Sequence, residues 1–447
     1  MEKKQYLTDG DAMFCPVSEE YLMDESGGMG WAEQLCFPTT AEEACLALQR
    51  ARQAGMPVTV QGSRTGICGG ALPMGGMVLN LSRMCGLLGE THPERRELLL
   101  TVQAGVTLSA LRQFLDGYRK DGVSYIFPLN PTEEQATLGG IIACRAEGGR
   151  AAFWGSAETW LSQVEAADFA GNLHYFRGRE LKQLLGDEGH NWVILSLELR
   201  LAEEPAHTGV LLCPFQALSG ICRFLEQKEK VGGLHLSMAE WLGAEALELL
   251  CENSSEALAK TGLSDLKRTD TLLLEFTAHS EEVVLNGLEA LLGLLEECGC
   301  DTDVALMGDS PRERERLLSL RHLLNETVAG KARAASAVAG RPPLLLDLAF
   351  SQGIEPFVTE CRQHIAGQWA GWGHGAVGHV HLHLFYKNEV EYTRQRETAI
   401  VLLEAGLRLG GTPHREFGRG KCRQADGSPV GAAYKEEGMS VWKSQYV

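Results

Sequence analysis

Alternating apolar and polar positions in the first two hundred residues predict strands that are separated by amphipathic helices. Residues 195–201 read Leu-Ser-Leu-Glu-Leu-Arg-Leu, an alternation typical of a strand with one buried face. Residues 39–43, Thr-Thr-Ala-Glu-Glu, resemble a capped helix start and predict a helix over about 41–54. The same pattern predicts strands near 58–60, 78–81, 98–102 and 163–170, and a helix from Thr107 to about Gly117. This part of the chain is therefore expected to be a mixed α and β domain.

The pattern breaks at Glu203-Glu204-Pro205, which we interpret as a domain boundary. Beyond it, helical stretches alternate with short strands, and this arrangement predicts a second α+β domain. The helices are expected at Phe215–Glu229 and Glu281–Glu297, and the strands near 234–237, 271–278 and 344–350. At 447 residues, the chain is long enough for two or three domains with their own cores.

Charge and cysteine usage exclude several functions. A formal net charge of −18 argues against nonspecific nucleic-acid binding, which requires a basic surface. The 13 cysteines include no Cys-x-x-Cys pair, so they suggest neither a zinc knuckle nor an iron–sulfur cluster. The start of the chain lacks the apolar core of a signal peptide, and no run reaches the roughly 18 apolar residues of a membrane span. We therefore expect a cytoplasmic protein with free thiols.

A glycine-dense loop follows the strand predicted at 58–60. Gly62, Gly66, Gly69 and Gly70 permit positive φ angles and close approach of the main chain, as in a concave anion-binding nest. The spacing fits neither the dinucleotide motif nor the P-loop, and Pro73 argues against a long helix here. The loop alone is consistent with either a phosphate site or an ordinary glycine-rich turn.

The segments around this loop resemble, in order, the flavin-binding domain of the vanillyl-alcohol oxidase superfamily. The resembling segments are 77–84, 101–106, Phe127-Pro128, 137–140, 143–150 and Trp154-Gly155. The resemblance implies a PCMH-type domain of two subdomains that binds FAD noncovalently, with the first loop at the pyrophosphate. The residues implied to contact FAD are Gly62, Ser63, Arg64, Thr65, Gly66, Gly69, Ala71, Pro128, Thr137, Gly139, Gly140, Ala143, Arg145, Gly148, Gly155 and Ile194.

The resemblance also implies the domain organisation. The fold class is α+β, with a PCMH-type FAD-binding domain at 1–205 and an α+β substrate (cap) domain at 206–400. A C-terminal segment, 401–447, is expected to return to the flavin site and complete it.

Histidines cluster in the segment 373–383. His379, His381 and His383 alternate, so they share one face of a predicted strand and can converge on one site. By themselves they read either as metal ligands or as hydrogen-bonded polar side chains. The segment resembles a metal-binding motif of the 2-hydroxyacid dehydrogenase branch of the superfamily, and this implies His374, His381 and Glu416 as ligands. Two imidazoles and one carboxylate suit zinc, manganese or iron.

The chain departs from that motif where the family places its catalytic histidine, because Phe417 stands there. A phenyl ring cannot accept the substrate's hydroxyl proton. His379 is chemically able to take over as the general base. A structural role or a role as a third histidine ligand is an equal alternative for His379.

Arg321 resembles the family arginine that binds the substrate carboxylate, and a guanidinium matches a carboxylate in bidentate geometry. The alternative is a solvated arginine on a helix face. Leu345 stands where the family has a lysine, so one positive charge is missing near the substrate. A second carboxylate on the substrate is therefore disfavoured, and a monocarboxylate fits better.

The resemblance implies an FAD-dependent 2-hydroxyacid dehydrogenase acting on a D-lactate-like or larger hydroxy monocarboxylate. A divalent metal would polarise the substrate hydroxyl, and a hydride would pass to flavin N5. The implied acceptor is neither oxygen nor NAD, and the implied partners are an electron-transferring flavoprotein or an iron–sulfur subunit, with a homodimer as the expected assembly. The alternative, which Phe417 favours, is a noncatalytic FAD-binding electron-transfer subunit.

Overall fold

The computed structural model describes residues 13–91, 98–231, 233–339, 341, 343–413 and 416. These residues form three sheets of four, seven and eight strands. The first two sheets belong to the N-terminal half of the chain and share one core, whereas the third belongs to the C-terminal half. The mixed helix and strand content and the sheet arrangement confirm the expected α+β class.

The smallest sheet begins the N-terminal half. Its strands are β1 Phe14–Cys15, β2 Gln34–Cys36, β3 Val58–Gln61 and β4 Met77–Asn80, in the order β1-β2-β4-β3. Strands β2, β4 and β3 run parallel, and helix α1, Ala41–Gln53, connects β2 to β3. The Oγ1 of Thr40 accepts a hydrogen bond from the Glu43 amide at 3.2 Å, which confirms the predicted capped start of α1.

The seven-stranded sheet completes the core of this half. Its strands are β5 Leu87–Thr91, β6 Leu98–Gln103, β7 Arg119–Lys120, β8 Val123–Ile126, β9 Leu161–Asp168, β10 Leu173–Arg177 and β11 Trp192–Glu203. The order is β10-β9-β11-β6-β5, with β8 pairing to the end of β11 and β7 to β8. Helices α2 Leu108–Asp116, α3 Leu138–Cys144 and α4 Ala151–Trp154 accompany the sheet. Strand β11 buries its odd-numbered leucines, as the alternation at 195–201 predicts.

The C-terminal half is built on the eight-stranded sheet. Its strands are β12 His207–Pro214, β13 His235–Leu242, β14 Thr271–Ala278, β15 Leu306–Gly308, β16 Leu344–Ala349, β17 Trp369–Gly373, β18 His379–Leu384 and β19 Thr412–Pro413. The order is β15-β12-β14-β13-β17-β18-β16-β19. The helices are α5 Leu218–Glu226, α6 Ala244–Asn253, α7 Ser255–Thr261, α8 Glu281–Glu297, α9 Pro311–Ala339, α10 Glu355–His364 and α11 Glu389–Arg408.

Helices cover both faces of this sheet. Helices α5, α8, α10 and α11 pack on one face and form the larger core. Helices α6 and α9 pack on part of the other face, where β13 contributes Met238 and Leu242. The same face of β13 also meets the N-terminal half, since a Cβ added at Gly149 would lie against Met238 and Glu240. The side of the sheet that carries polar residues therefore faces the N-terminal half.

The two domain boundaries expected from the sequence fall at different kinds of position in the structure. The boundary at residue 205 lies between β11 and β12, so it coincides with the change from one sheet to the next. The boundary at residue 400 falls inside α11, and β19 joins the eight-stranded sheet. Helix α11 continues across residue 400, and its apolar residues on both sides of that position pack on the core of the C-terminal half.

No disulfide joins the cysteines in the part of the chain that the structure describes. In that part, no helix combines the length and the apolar character that crossing a membrane requires. The helix predicted at Phe215–Glu229 is shorter than expected, with α5 ending at Glu226 and a short 3₁₀ turn following it.

Candidate active site

Gln61, at the end of β3, forms hydrogen bonds that hold the glycine-dense loop in place. Its Nε2 donates to the carbonyl oxygens of Tyr21 at 2.9 Å and Ala71 at 2.7 Å. The Nδ2 of Asn80, at the end of the neighbouring β4, donates to the Gly62 carbonyl at 3.2 Å. Both side chains are buried, so the first residue of the loop and its far end are fixed by the sheet beneath.

Gly62 brings this loop against the turn that precedes α3. A Cβ added at Gly62 would lie 2.2 Å from Thr137 Oγ1, so only glycine permits this approach. Thr137 caps α3 by accepting a hydrogen bond from the Gly140 amide at 3.3 Å, and the Gly139 amide donates to Ala104 at 2.9 Å. The two segments that the sequence assigned to one cofactor therefore lie side by side.

Gly66 does not show the backbone features for which a glycine was expected in this loop. It does not have a positive φ, and a Cβ added there meets no described atom within 4 Å. Arg64 and Gly69 instead have the left-handed backbone, with φ of 62° and 73°. The close approach in this loop is thus made at Gly62, while the space beside Gly66 is open.

The remaining residues that the sequence assigned to FAD lie on several elements. Arg145 ends α3 with φ 56°, and Gly148 and Gly155 also have positive φ, 74° and 89°. Ala143 lies in α3, whereas Ile194 of β11 is buried within the core of the N-terminal half. Gly148 has no room for a side chain, because an added Cβ would lie 2.3 Å from the Asn130 carbonyl.

The histidines lie where β17 turns into β18. His374 follows β17, and the turn returns the chain so that the His379 amide donates to the His374 carbonyl at 3.1 Å. Gly378 makes this turn with φ 67°, and a Cβ there would lie 1.9 Å from the Phe350 carbonyl. One turn therefore places the side chains of two non-adjacent histidines next to each other.

Four side chains converge at this turn: His374, His379, His381 and Glu416. One ligand atom from each lies within 4.8 Å of all the others, and the three histidines are buried. The Nε2 of His374 is 3.1 Å from Glu416 Oε2. Two ligands bound about 2.1 Å from one ion lie about 3–4 Å apart, and the distance between His374 and Glu416 falls in that range.

His383 does not join this group. It lies one step further along β18 and stacks on Trp372 of β17, with ring centroids 5.2 Å apart. Burial, followed by the neighbouring His381, lowers the pKa of His383 to about 3. The expectation that all three alternating histidines converge is therefore met by two of them, because the strand carries the third beyond the turn.

Asp347 of β16 organises the group from the neighbouring strand. Its Oδ1 is hydrogen-bonded to His379 Nε2 and lies 3.2 Å from His381 Nδ1. Its Oδ2 accepts a hydrogen bond from the Glu416 amide at 2.9 Å. Although burial alone would raise the pKa of Asp347, His379 and His381 hold it well below its usual range.

The pKa values of His374, His381 and Glu416 depend strongly on the charges of their neighbours. Burial alone would lower the pKa of His374, but the carboxylates of Glu416 and Glu240 raise it to about 10. Burial would raise the pKa of Glu416, but His374 and the other histidines hold it well below its usual range. His381 is the exception, since burial and the nearby His379 lower its pKa. In the metal-free protein, His374 therefore carries the proton that a metal would displace.

Glu416 links this group to the N-terminal half. Its Oε1 accepts a hydrogen bond from the Gly148 amide at 3.1 Å and lies 3.4 Å from the Glu147 amide. Glu416 therefore brings the C-terminal segment into contact with the main chain of the N-terminal half. Phe417, on which the absence of the family's base depends, lies outside the described residues.

Arg321, on α9, is buried rather than solvated, so the solvated alternative is wrong. Its Nη2 is 2.7 Å from Glu240 Oε1 and donates to the Asn130 carbonyl at 3.0 Å. Its Nε is buried and has no hydrogen-bond acceptor among the described residues. A buried guanidinium nitrogen without an acceptor is suited to receive a carboxylate oxygen.

The sequence reasoning missed three buried carboxylates: Glu240 on β13, Glu275 on β14 and Asp347 on β16. Each is a single acidic residue inside an otherwise apolar strand, and that pattern is the signal that could have found them. Glu275 forms a bidentate ion pair with Arg150 at 2.6 and 2.8 Å. Arg150 comes from the N-terminal half, so this pair crosses between the halves.

Comparison with known proteins identifies an FAD binding domain in this chain. The family model of the FAD binding domain matches residues 32–176, which span the loop and the turn at Thr137. The chain is 27% identical to a D-lactate dehydrogenase of Archaeoglobus fulgidus, over 92% of this chain and 89% of that protein. It is 25% identical to a D-lactate dehydrogenase of Anaerostipes hadrus, over 63% and 68%.

The chain contains a PCMH-type FAD-binding domain and is similar to FAD-linked dehydrogenases along most of its length. The fold of this oxidoreductase resembles p-cresol methylhydroxylase with a TM-score of 0.66, at 12% identity over 90% of this chain and 85% of the other. Its glycine loop and Thr137 turn lie within the matched FAD-binding domain. Its histidines lie beyond that domain, on the eight-stranded sheet.

Proposed function

We propose that this oxidoreductase is an FAD-dependent D-2-hydroxyacid dehydrogenase whose substrate hydroxyl is bound at a divalent metal. The observation that carries the proposal is the convergence of His374, His381 and Glu416 beside the buried Arg321. The names of the D-lactate dehydrogenase relatives supply the substrate class. When bound, a zinc, manganese or iron ion lowers the pKa of a coordinated hydroxyl, and FAD accepts the hydride.

Arg321 and Leu345 determine how the substrate binds in this proposal. Arg321 offers its Nε to the substrate carboxylate, which orients the hydroxyl-bearing carbon. Leu345, which pairs with His383 across β16 and β18, adds no second cation at this face of the sheet. These two residues favour a monocarboxylate of the D-lactate type or a larger apolar one over a dicarboxylate.

We assign the general base to His379. Asp347 accepts a hydrogen bond from its Nε2, which leaves the lone pair on Nδ1 facing the site, 3.9 Å from Glu416 Oε1. A carboxylate that holds one imidazole nitrogen fixes the tautomer and stabilises the imidazolium that forms. His379 thereby takes over the proton transfer that Phe417 cannot perform.

FAD in this proposal lies along the loop 62–71, in the open space beside Gly66, and extends past the Thr137 turn. The electron acceptor is a protein, either an electron-transferring flavoprotein or an iron–sulfur subunit, rather than oxygen or NAD. Glu416 would sit where the metal and the flavin segment meet, since it contacts both His374 and the Gly148 amide.

The test is reduction of the flavin by candidate substrates. We expect D-lactate or a larger D-2-hydroxy monocarboxylate to bleach the flavin absorbance anaerobically and to turn over with an artificial acceptor, and D-2-hydroxyglutarate to react more slowly. Elemental analysis should find metal near one equivalent that is lost in the His374→Ala, His381→Ala double variant. If no 2-hydroxyacid reduces the flavin and the protein binds no metal, the protein is instead a noncatalytic electron-transfer subunit.

A further inference from the structure

Glu240 is a buried carboxylate at the junction of the two halves of the molecule. It lies on β13, and the residue is 2% exposed. The main chain of the N-terminal half seals it, because a Cβ added at Gly149 would lie 2.4 Å from Glu240 Oε1. A buried carboxylate is costly unless nearby cations compensate its charge.

The compensation comes from two residues of the proposed site. Glu240 Oε1 is 2.7 Å from Arg321 Nη2 and 3.3 Å from His374 Nδ1. One oxygen atom therefore lies next to both the proposed substrate anchor and a proposed metal ligand. Arg321 and His374 come from α9 and from the end of β17, and Glu240 is the side chain that joins them.

The carboxylate of Glu240 lies beside Nδ1 of His374, at 3.3 Å. An imidazole binds a metal through one nitrogen, and a carboxylate that holds the N–H of the other fixes its tautomer and ring orientation. Glu240 stands at Nδ1, whereas Nε2 is 3.1 Å from Glu416 Oε2. The ring is thus oriented with Nε2 toward the converging ligands.

We propose that Glu240 is a positioning residue that orients His374 for metal binding and Arg321 for the substrate carboxylate. The inference rests on the proposed function, and it adds that both tasks depend on one carboxylate of β13. Because Glu240 occupies Arg321 Nη2, the Nε of Arg321 is the part of the guanidinium left to the substrate. A change that removes the negative charge of Glu240 but keeps an acceptor oxygen for Arg321 should therefore weaken metal binding without weakening substrate binding.

Glu240→Gln keeps the side-chain shape and one carbonyl acceptor but removes the charge. We expect the affinity for Zn²⁺, measured by competition with a chelating indicator, to fall about 10–100-fold, the usual cost of losing such a partner. The KM for D-lactate should not rise, since Arg321 loses its competing counter-ion, while kcat falls. A merely structural role would not separate these readouts.

Glu275 supplies a matched control on the neighbouring strand. It is equally buried and also pairs with an arginine, Arg150, but no ion pair among the described residues joins it to His374. Glu275→Gln should therefore retain the wild-type Zn²⁺ affinity while being destabilised to a similar degree. If Glu240→Gln does not fold, Glu240→Asp withdraws the carboxylate by one methylene and should weaken Zn²⁺ binding in the same way.

Two results would overturn the inference while leaving the proposed function intact. One is a Glu240→Gln protein that binds Zn²⁺ with wild-type affinity, and the other is an equal loss in Glu275→Gln. If the wild-type protein binds neither Zn²⁺, Mn²⁺ nor Fe²⁺, the metal part of the proposed function fails together with this inference. The wild-type titration therefore separates the two failures.

Discussion

At the scale of single residues, the site depends on positions where one atom more would not fit. Gly62 against Thr137, Gly148 against Asn130 and Gly149 against Glu240 each leave no room for a Cβ. Two of these contacts join the N-terminal half to itself, and the third joins it to β13. The glycines therefore position the cofactor loop and the carboxylate network directly, rather than only making the chain flexible.

Gly66 and Gly70 give a direct test of where FAD lies. A Cβ added at either glycine would have no described protein atom within 4 Å, and neither residue has a positive φ. The protein itself should therefore tolerate a side chain at both positions. We expect Gly66→Val to lower FAD occupancy, because the proposed cofactor fills the space beside it, and Gly70→Val to retain FAD. The ratio of flavin to protein absorbance measures both. Full occupancy in Gly66→Val would remove that residue from the cofactor site.

His379→Gln tests the assignment of the base. Glutamine retains a hydrogen bond to Asp347 but cannot take up a proton at neutral pH. We expect turnover with D-lactate to fall roughly 100-fold or more, the scale of general-base loss, while metal content stays at the wild-type value. His383→Gln, on the same face of β18 but outside the ligand group, is the control and should remain active. Metal loss in His379→Gln would make His379 a ligand instead.

At the scale of elements, the sequence pattern predicted the features that depend on residues close together in the chain. Helix α8 coincides with the predicted Glu281–Glu297, because Ser280 caps it and its apolar positions follow the helical period. The pairing of His379 and His381 follows from strand alternation. The partners across strands did not follow, since Asp347 meets these histidines only through the register of β16 with β18. Likewise, Arg321 is buried because α9 packs toward Asn130, a contact 191 residues apart in sequence.

The ion pair between Arg150, which precedes α4, and Glu275 of β14 should make the stability of the protein depend on pH in the acid range. Burial alone would raise the pKa of Glu275, but Arg150 holds it below the usual value of 4.5. The pair therefore stabilises the fold fully above about pH 4.5, and this contribution is lost as the pH falls below that value. Glu275→Gln should lower the free energy of unfolding by about 2 kcal/mol at neutral pH. The difference from wild type should narrow in acid.

Thermal unfolding of wild type and Glu275→Gln between pH 3 and 7 measures this difference. The exposed pair of Lys260 and Glu256 supplies a control, and Glu256→Gln should follow the wild-type curve throughout. A gap between wild type and Glu275→Gln that stays constant down to pH 3 would show that the Arg150 pair does not carry the acid sensitivity.

At the scale of the whole molecule, the proposed metal would stabilise the contact between the two halves. His374 and His381 belong to the eight-stranded sheet, whereas Glu416 also accepts a hydrogen bond from Gly148 of the N-terminal half. A metal bound only by the folded protein stabilises it by about 2.7 kcal/mol when its free concentration is 100 times Kd. We therefore expect the protein loaded with Zn²⁺ to melt at a higher temperature than the protein treated with a chelator, in one transition for both halves.

This stabilisation should increase with pH, because the proton on His374 competes with the metal. The pKa of His374 is raised to about 10, so the metal-free site is protonated at neutral pH and each unit of rising pH favours the metal-bound form. The increase in melting temperature on adding Zn²⁺ should accordingly be larger at pH 8.5 than at pH 6.5. His374→Ala should abolish the shift at both values, whereas His383→Ala, outside the ligand group, should retain it. A shift independent of pH, or one that survives His374→Ala, would place the metal elsewhere in the molecule.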